Sequence, residues 1–211
     1  MGFYPIVVNL TERPCVVVGG GAVAERKVAA LLEVGARVTV VSPRLTARLR
    51  SWTEADRIRH HARAYQPGDL DGAALAFVAT DDAGANAAVF GDARRAGVWV
   101  NAADDPAHSD FLIPAILRRG DLVVAVATGG ASPALASSVR DEVAASITPD
   151  YADLVRIVAK VRRELRGRGA VVPASRWRTA LDPELRRLAA AGRAEEARAR
   201  LLTALGGEAC P

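Results

Sequence analysis

Three consecutive glycines follow an apolar run near the start of the chain, and their spacing is that of a phosphate-binding turn. Cys15 to Val18 is apolar, Gly19, Gly20 and Gly21 come next, and Ala24 follows three residues later. The pattern Gly19-x-Gly21-x-x-Ala24 is typical of dinucleotide-binding turns, where the first glycine permits a tight turn and the second lets a pyrophosphate approach the backbone. Free N–H groups at the start of the next helix then bind the anion. The alternative is a plain strand-to-helix corner.

Such turns are usually followed, about 20 residues later, by an acidic residue that binds the adenosine ribose. Here Ser42, Pro43 and Arg44 stand at that place. The sequence therefore does not decide between NAD and NADP at this position, and the Arg44 guanidinium is suited to a 2′-phosphate.

Two further polar clusters follow apolar segments. Thr80-Asp81-Asp82 comes after residues 75–79, and the stretch from Asn101 to Pro106 comes after residues 98–100. A carboxylate in such a place can act as a general base, and Asp104, Asp105 and Asp110 are the candidates. Because Asp residues before a Pro also bond to the local backbone, a structural role for Asp104 is the competing interpretation.

Alternating strand and helix patterns position these clusters. Buried strands are predicted at residues 15–18, 38–41, 75–79 and 98–100, with a further strand at 58–63 and a short strand or extended lead-in at 3–10. Helices are predicted between the strands, ending at Gly35 and Gly97. This order favours a parallel sheet with right-handed crossovers, in which the three polar clusters share one edge.

The pattern changes after Asp110. Two apolar segments, 111–117 and 122–127, flank a polar turn and predict a hairpin, and Ser132 and Pro133 begin a helix that reaches about Ile147. This element is suited to a dimer contact or to a simple extension of the sheet. Three helices are predicted beyond Pro149, at 151–166, from about 182, and at 194–205. The domains are thus predicted as 1–113, 114–148 and 149–211.

Composition limits the class of protein. The chain has 211 residues, half of them hydrophobic, and no apolar run reaches the roughly 18 residues of a membrane helix. Its first ten residues lack the features of a signal peptide, so a cytoplasmic protein without membrane contact is expected. Residues 149–211 carry 13 of the 28 Lys and Arg but 8 of the 24 acidic residues. Since lysines are few and no recognition-helix pattern is visible, we predict no nucleic-acid partner.

Neither the cysteines nor the histidines predict a metal site. Cys15 and Cys210 are far apart in the chain, and His60, His61 and His108 do not have a ligand spacing. His60 and His61 are expected to face solvent.

Six segments, in order, resemble the precorrin-2 dehydrogenase / sirohydrochlorin ferrochelatase family, which also forms the N-terminal module of siroheme synthase. The resemblance implies an α/β fold: a Rossmann-type parallel-sheet domain, a hairpin-plus-helix dimerisation region and a helical C-terminal segment, in a homodimer. The six segments are Tyr4-Pro5-Ile6, 18–27, 79–82, 101–106, 111–114 and 125–133.

The activity that the resemblance implies is NAD⁺-dependent oxidation of precorrin-2 to sirohydrochlorin, with Asp104 as general acid/base. Thr128 corresponds to a position beside the substrate, and Arg118 and Arg119 are candidates to bind its many carboxylates. Insertion of Fe²⁺ into sirohydrochlorin, known for some relatives, stays open, as does a non-enzymatic NAD(H)-sensing role. The resemblance implies cofactor contacts at Ala22, Val23, Pro43 and Arg44. The glycine pattern adds Gly19 and Gly21, and position at the edge of the predicted sheet adds Thr80, Asp81 and Asn101.

Overall fold

A computed structural model describes residues 2–102, 105 and 108–206 of the chain. These residues form two compact units, 1–113 and 114–211. The second unit combines the predicted dimerisation region with the predicted helical segment. Among the helices of the described residues, none is long and apolar enough to cross a membrane.

The first unit is built on a five-stranded sheet in the order β3-β2-β1-β4-β5, and all its strand pairs are parallel. This is the Rossmann strand order without its sixth strand. Successive strands are added on one side of β1 up to β3 and on its other side from β4 onward, so the topological switch point lies between β1 and β4. The strands are β1 Pro14–Val18, β2 Arg37–Val41, β3 Arg59–His61, β4 Leu75–Val78 and β5 Trp99–Ala102. The helices are α1 Ala22–Glu33, α2 Ala47–Glu54 and α3 Ala83–Ala96.

Both faces of the sheet are buried, which explains why the central strands are continuous apolar runs rather than alternating ones. In β1, Cys15 and Val17 pack in the cluster that contains Val28 of α1. Val16 and Val18 pack in the opposite cluster, with Val89 of α3 and other residues. The parallel α/β fold predicted from the sequence is therefore confirmed.

Some predicted elements of the first unit were wrong or missing. Of the two alternatives for residues 3–10, the strand was wrong, because the described residues 2–10 contain no strand and Val7 is 92% exposed. The helix α2 was not predicted, because it buries only Leu49 and Trp52 of its eight residues and so carries a weak periodic pattern. Phe111 does not begin the hairpin. It packs edge-on against Phe77 of β4, with ring centroids 5.6 Å apart.

The second unit contains an antiparallel hairpin followed by five helices in its described residues. The hairpin turns at Gly120, whose φ of +56° favours glycine. Helix α6 was not predicted, because it buries only Ala180 of its seven residues and so carries little periodic pattern. The elements are β6 Ala115–Arg119, β7 Leu122–Val126, α4 Pro133–Ser146, α5 Tyr151–Gly167, α6 Ala174–Ala180, α7 Pro183–Ala190 and α8 Ala194–Ala204.

Burial is uneven within this unit. The helices α5 to α8 share an apolar core around Val161, Leu185 and Leu201. By contrast, the described residues of the hairpin and α4 bury only Leu117 and Ala136. The helical part therefore has its own core, whereas the hairpin does not.

Candidate functional site

The glycine turn lies where β1 passes into α1, at the point where the strand order reverses. Gly19 has a φ of +123°, and a Cβ on it would lie 2.1 Å from the carbonyl oxygen of Ala79, just after β4. Both the conformation and the close approach of the two backbones require glycine here. The predicted role of Gly19 as the tight-turn residue agrees with this geometry.

Gly20 brings a second segment against the turn. A Cβ at this position would lie 1.9 Å from the carbonyl oxygen of Arg44 and 2.7 Å from Ser42 Oγ. Sequence reasoning did not assign a role to Gly20, although three glycines in a row exceed what the dinucleotide pattern needs. That excess glycine was the available signal.

Gly21 is the N-cap of α1 and leaves open space. It has an extended conformation, with φ −87°, and no described atom lies within 4 Å of a Cβ placed on it. No side chain in the described part of the chain caps α1. The first-turn N–H groups of the helix, which include those of Ala22 and Val23, can therefore bind an anion that approaches over Gly21.

The loop after β2 forms one wall of the site. Ser42 is buried, and its hydroxyl donates to the Arg44 carbonyl oxygen at 2.7 Å, while Pro43 and Arg44 are exposed. His60 Nε2 lies 2.8 Å from the Ser42 carbonyl oxygen, which requires a proton on that nitrogen. The prediction that His60 faces solvent was thus wrong, because its ring supports this loop, while His61 is exposed.

The loop after β4 forms the other wall. Thr80 Oγ1 accepts from the Asp82 backbone N–H at 3.1 Å, and Asn86 Nδ2 donates to the Thr80 carbonyl oxygen at 3.2 Å. Asp82 caps α3 by accepting from the Ala85 N–H at 3.0 Å. Asp81 is exposed between them. These bonds fix the turn and leave the Asp81 side chain directed away from the core.

The two walls and the glycine turn enclose a cleft of about 510 Å³. It brings together six of the predicted cofactor contacts. A cleft of equal volume lies at the opposite edge of the sheet, around the starts of β2 and β3, so volume alone does not identify the site. The residues that line the cleft at the glycine turn are Gly19, Gly20, Gly21, Ser42, Pro43, Arg44, Leu45, Thr46, Ala79, Thr80 and Asp81.

Asn101 is buried in β5 and bonds to protein groups on both sides. Its Oδ1 accepts from Lys27 Nζ at 3.1 Å, and its Nδ2 donates to the Phe111 carbonyl oxygen at 2.9 Å. The side chain thus ties α1 and the segment after β5 to the sheet. A direct contact between Asn101 and a cofactor stays a prediction.

Asp104, the predicted base, lies outside the described residues. β5 ends at Ala102, two positions earlier in the sequence. The two alternative bases have partners of their own: Asp105 Oδ2 lies 2.6 Å from His108 Nδ1, and Asp110 Oδ2 accepts from the Val100 N–H at 2.8 Å. Both carboxylates therefore have structural contacts next to β5.

The substrate candidates of the second unit take up different local roles. Thr128 Oγ1 donates to the Ser132 carbonyl oxygen at 3.0 Å and accepts from the Ser132 N–H at 3.1 Å, closing the turn before α4. Arg119 Nε donates to the carbonyl oxygen of Ile147, the C-cap residue of α4, at 2.9 Å. Arg118 is exposed on the hairpin. Their contact with a substrate stays a prediction.

A network of charges fixes the chain after β3. Arg63 donates to both carboxylate oxygens of Asp69 at 2.7 Å, and the Gln66 N–H donates to Asp69 Oδ2 at 2.8 Å. The Arg63 guanidinium is the main reason that the pKa of Asp69 lies below its ordinary value. Within the described ranges, no cluster of three or more His, Cys, Asp or Glu side chains could hold a metal ion.

The switch-point position of the glycine turn, its open helix N-terminus and the cleft beside it define a dinucleotide-binding protein of the Rossmann type. Comparison with known families agrees. Residues 6–115 match the family model described as "Putative NAD(P)-binding", and residues 119–146 match the model described as "Sirohaem biosynthesis protein central".

Individual relatives are similar over most of the chain. Siroheme synthase of Methylococcus capsulatus is 39% identical over 209 residues, which cover 97% of this chain and 44% of that protein. Siroheme synthase of Nitrosococcus oceani is 36% identical over 213 residues, covering all of this chain and 46% of that protein. The chain thus spans less than half the length of these curated relatives.

One solved structure matches over its whole length. It is described as "SirC, precorrin-2 dehydrogenase", has a TM-score of 0.74 and 25% sequence identity, and covers 95% of this chain and 100% of that one. The chain belongs to the family described as "Putative NAD(P)-binding", whose model matches more than half of its residues, and it is similar over most of its length to siroheme synthases and to a precorrin-2 dehydrogenase.

Proposed function

We propose that this protein is an NAD⁺-dependent precorrin-2 dehydrogenase, which oxidises precorrin-2 to sirohydrochlorin. The observation that carries the proposal is the match of this chain to the whole length of a structure described as a precorrin-2 dehydrogenase. The glycine turn of this chain also has the geometry of a dinucleotide site. The siroheme synthase relatives match both units of the chain, which supports the same assignment.

The residues around the glycine turn fit NAD. A Cβ on Gly21 would meet no described atom within 4 Å, and α1 begins without a side-chain cap in the described chain, so a pyrophosphate has both space and N–H donors there. Pro43 and Arg44 would contact the adenosine end, since they lie on the wall after β2. NAD⁺ supplies the hydride acceptor, the C4 atom of its nicotinamide ring.

Thr80 and Asp81 would border the nicotinamide end, because they lie on the opposite wall of the cleft. Desaturation of the macrocycle removes a hydride from one carbon and a proton from the substrate, and we assign Asp104 as the base that accepts this proton. Its neighbours Asp105 and Asp110 have structural contacts of their own, which supports the assignment.

The test is turnover of precorrin-2 with NAD⁺, followed by the absorbance of sirohydrochlorin and of NADH. The wild-type protein should form both products in equal amounts. Asp104→Asn should lower kcat by at least about 100-fold, the usual contribution of a general base. The matched control Asp105→Asn should retain most of the activity. Wild-type turnover by Asp104→Asn would remove the base assignment, and binding of NAD⁺ without turnover would favour a sensing role.

We also propose a homodimer that forms through the hairpin. Its outward face shows Ile116, Val123 and Ala125 beside Arg118, and Ile116 pairs with Ala125 across the two strands. A two-stranded hairpin is marginal by itself, so a partner that covers this apolar face would stabilise it. Val123→Asp should convert a dimer to a monomer in sedimentation velocity. A variant that sediments like the wild type would rule out this interface.

The name of the relatives, siroheme synthase, favours one further activity, insertion of Fe²⁺ into sirohydrochlorin. Supplying sirohydrochlorin and Fe²⁺ without NAD⁺ tests it: appearance of siroheme absorbance would show a bifunctional enzyme, and no change would restrict the protein to dehydrogenation. We place the reaction in the cytoplasm, which fractionation of the source cells can check.

A further inference from the structure

We infer that Glu25 and Thr46 form a clamp between α1 and the loop after β2, and that this clamp sets the affinity of the cleft for the dinucleotide. The inference rests on the proposed function, because it concerns the wall of the cleft that would hold the adenosine end. Neither residue belongs to the dinucleotide pattern. Glu25 is a positioning residue, since it does not line the cleft and acts through Thr46. Thr46 lines the cleft beside Arg44 and also holds the end of the loop, so Glu25→Ala is the variant that isolates the positioning role.

Thr46 joins three segments at once. Its hydroxyl donates to Glu25 Oε2 at 2.6 Å and accepts from the Leu49 N–H at 3.2 Å, so it caps α2 while it binds α1. Its backbone N–H donates to the carbonyl oxygen of Gly20 at 3.0 Å. The residue therefore fixes the end of the loop directly against the glycine turn.

Glu25 is an acidic side chain in the first turn of the helix that would bind the pyrophosphate. A free carboxylate there would repel the approaching anion. Instead, one oxygen accepts from Thr46, and the other lies 3.7 Å from Arg48 Nη1. The Glu25 side chain is only 24% exposed. The clamp thus uses the charge to order the loop and lowers its effect on the anion site.

The loop between the clamp and β2 has few other attachments. At its start, the Ser42 N–H donates to the His61 carbonyl oxygen at 3.1 Å, and the Ser42 carbonyl oxygen contacts His60. The Ser42 hydroxyl bonds only within the loop. Arg44 is exposed, and its carbonyl oxygen occupies the space that a side chain on Gly20 would need. Without the Thr46–Glu25 bond, the backbone bond of Thr46 to Gly20 is left to hold the Arg44 end of the loop, and this end moves away from the turn more often. The population of loops able to bind then falls, and the apparent affinity falls by the same factor.

The experiment measures the Kd of NAD⁺ by calorimetry and KM and kcat with precorrin-2 for the full chain. Thr46→Val should raise Kd and KM for NAD⁺ about five- to tenfold while kcat is retained, and Glu25→Ala should do the same. Thr46→Ser keeps the hydroxyl and should behave like the wild type. Thr53→Val is the matched control, because its hydroxyl bonds within α2 to the Leu49 carbonyl oxygen.

Two outcomes would overturn the inference. One is an unchanged Kd in Thr46→Val and Glu25→Ala with a lower melting temperature, which would reduce the residues to a helix cap. The other is an equal rise of Kd in Thr53→Val, which would indicate a general loosening of α2. Absence of NAD⁺ binding to the wild-type protein would instead refute the proposed function. If Thr46→Val does not fold, the comparison of Glu25→Ala with Thr46→Ser decides.

Discussion

The substitutions Gly20→Ala and Gly21→Ala should separate folding from cofactor binding at adjacent positions. On Gly20, the new Cβ would lie 1.9 Å from the Arg44 carbonyl oxygen, whereas real contacts of this kind stay above 3.0 Å. The backbone must therefore move by about 1 Å, and overpacking of this kind costs about 1–3 kcal/mol. For a unit of this size we expect the melting temperature to fall by about 4–12 °C.

Gly21→Ala should have the opposite profile. Its φ of −87° is accessible to alanine, and no described atom lies within 4 Å of the new Cβ. Alanine is a poorer N-cap than glycine, but it also restricts the unfolded chain, so the stability should change by less than about 1 kcal/mol. The methyl group would occupy the space over the start of α1. We expect NAD⁺ affinity to fall at least about tenfold, or 1.4 kcal/mol.

Differential scanning fluorimetry and calorimetric titration with NAD⁺ measure the two effects on the same samples. Gly2→Ala, with open space around its Cβ and no helix or strand nearby, is the control for the substitution itself. Wild-type melting of Gly20→Ala would show that the loop after β2 does not pack on the turn. Wild-type NAD⁺ affinity of Gly21→Ala would show that the pyrophosphate does not pass over the helix start.

Three further predictions concern the ion pair and the buried thiol of the first unit and the helical core of the second. Asp69→Asn should destabilise the first unit by about 1–3 kcal/mol. Because Arg63 lowers the pKa of Asp69, the difference in unfolding free energy between variant and wild type should be constant above about pH 4 and shrink as the pH falls further. Urea unfolding at several pH values measures this difference, and a difference that does not shrink would contradict the prediction. Burial raises the pKa of the Cys15 thiol to about 11. In a Cys210→Ser variant, this thiol should therefore react with a disulfide reagent at pH 8 only after the protein unfolds. Stoichiometric labelling of the folded protein would show that Cys15 is not buried. Leu185→Ala, in the core of α5 to α8, should cost about 2–5 kcal/mol without changing NAD⁺ affinity below the melting transition, and a matching loss of affinity would show that the binding site depends on that core.

The sheet and the glycine turn were predictable because local patterns encode them. A strand buried on both faces is a continuous apolar run, as in Cys15 to Val18. Glycine is the residue that a turn with positive φ favours, so Gly19 directly after this run indicated a turn. The start of α4 at Ser132 was likewise recognisable from Pro133 next to it. The alternation of these signals then determined a parallel sheet with the polar clusters at one edge.

The supporting contacts were not predictable, because their partners are distant in the sequence. Thr46 is 21 residues from Glu25, and Lys27 is 74 residues from Asn101. His60 was predicted to face solvent because nothing near it in the sequence indicates its contact with the Ser42 carbonyl oxygen, 18 residues away. Short helices such as α6, with a single buried residue, carry too little periodicity to be recognised. For Asp104, outside the described residues, the assignment still depends on the resemblance and the proposed test.

The contact between Gly20 and the Arg44 carbonyl oxygen has a consequence for how such proteins diverge. Replacing this glycine alone lowers stability, because every other side chain collides with the main chain of Arg44. A change in the length or path of the loop, beforehand or in the same event, would remove that cost. Insertions after the second strand and substitutions at the middle glycine should therefore appear together in descendants, as one inherited pair.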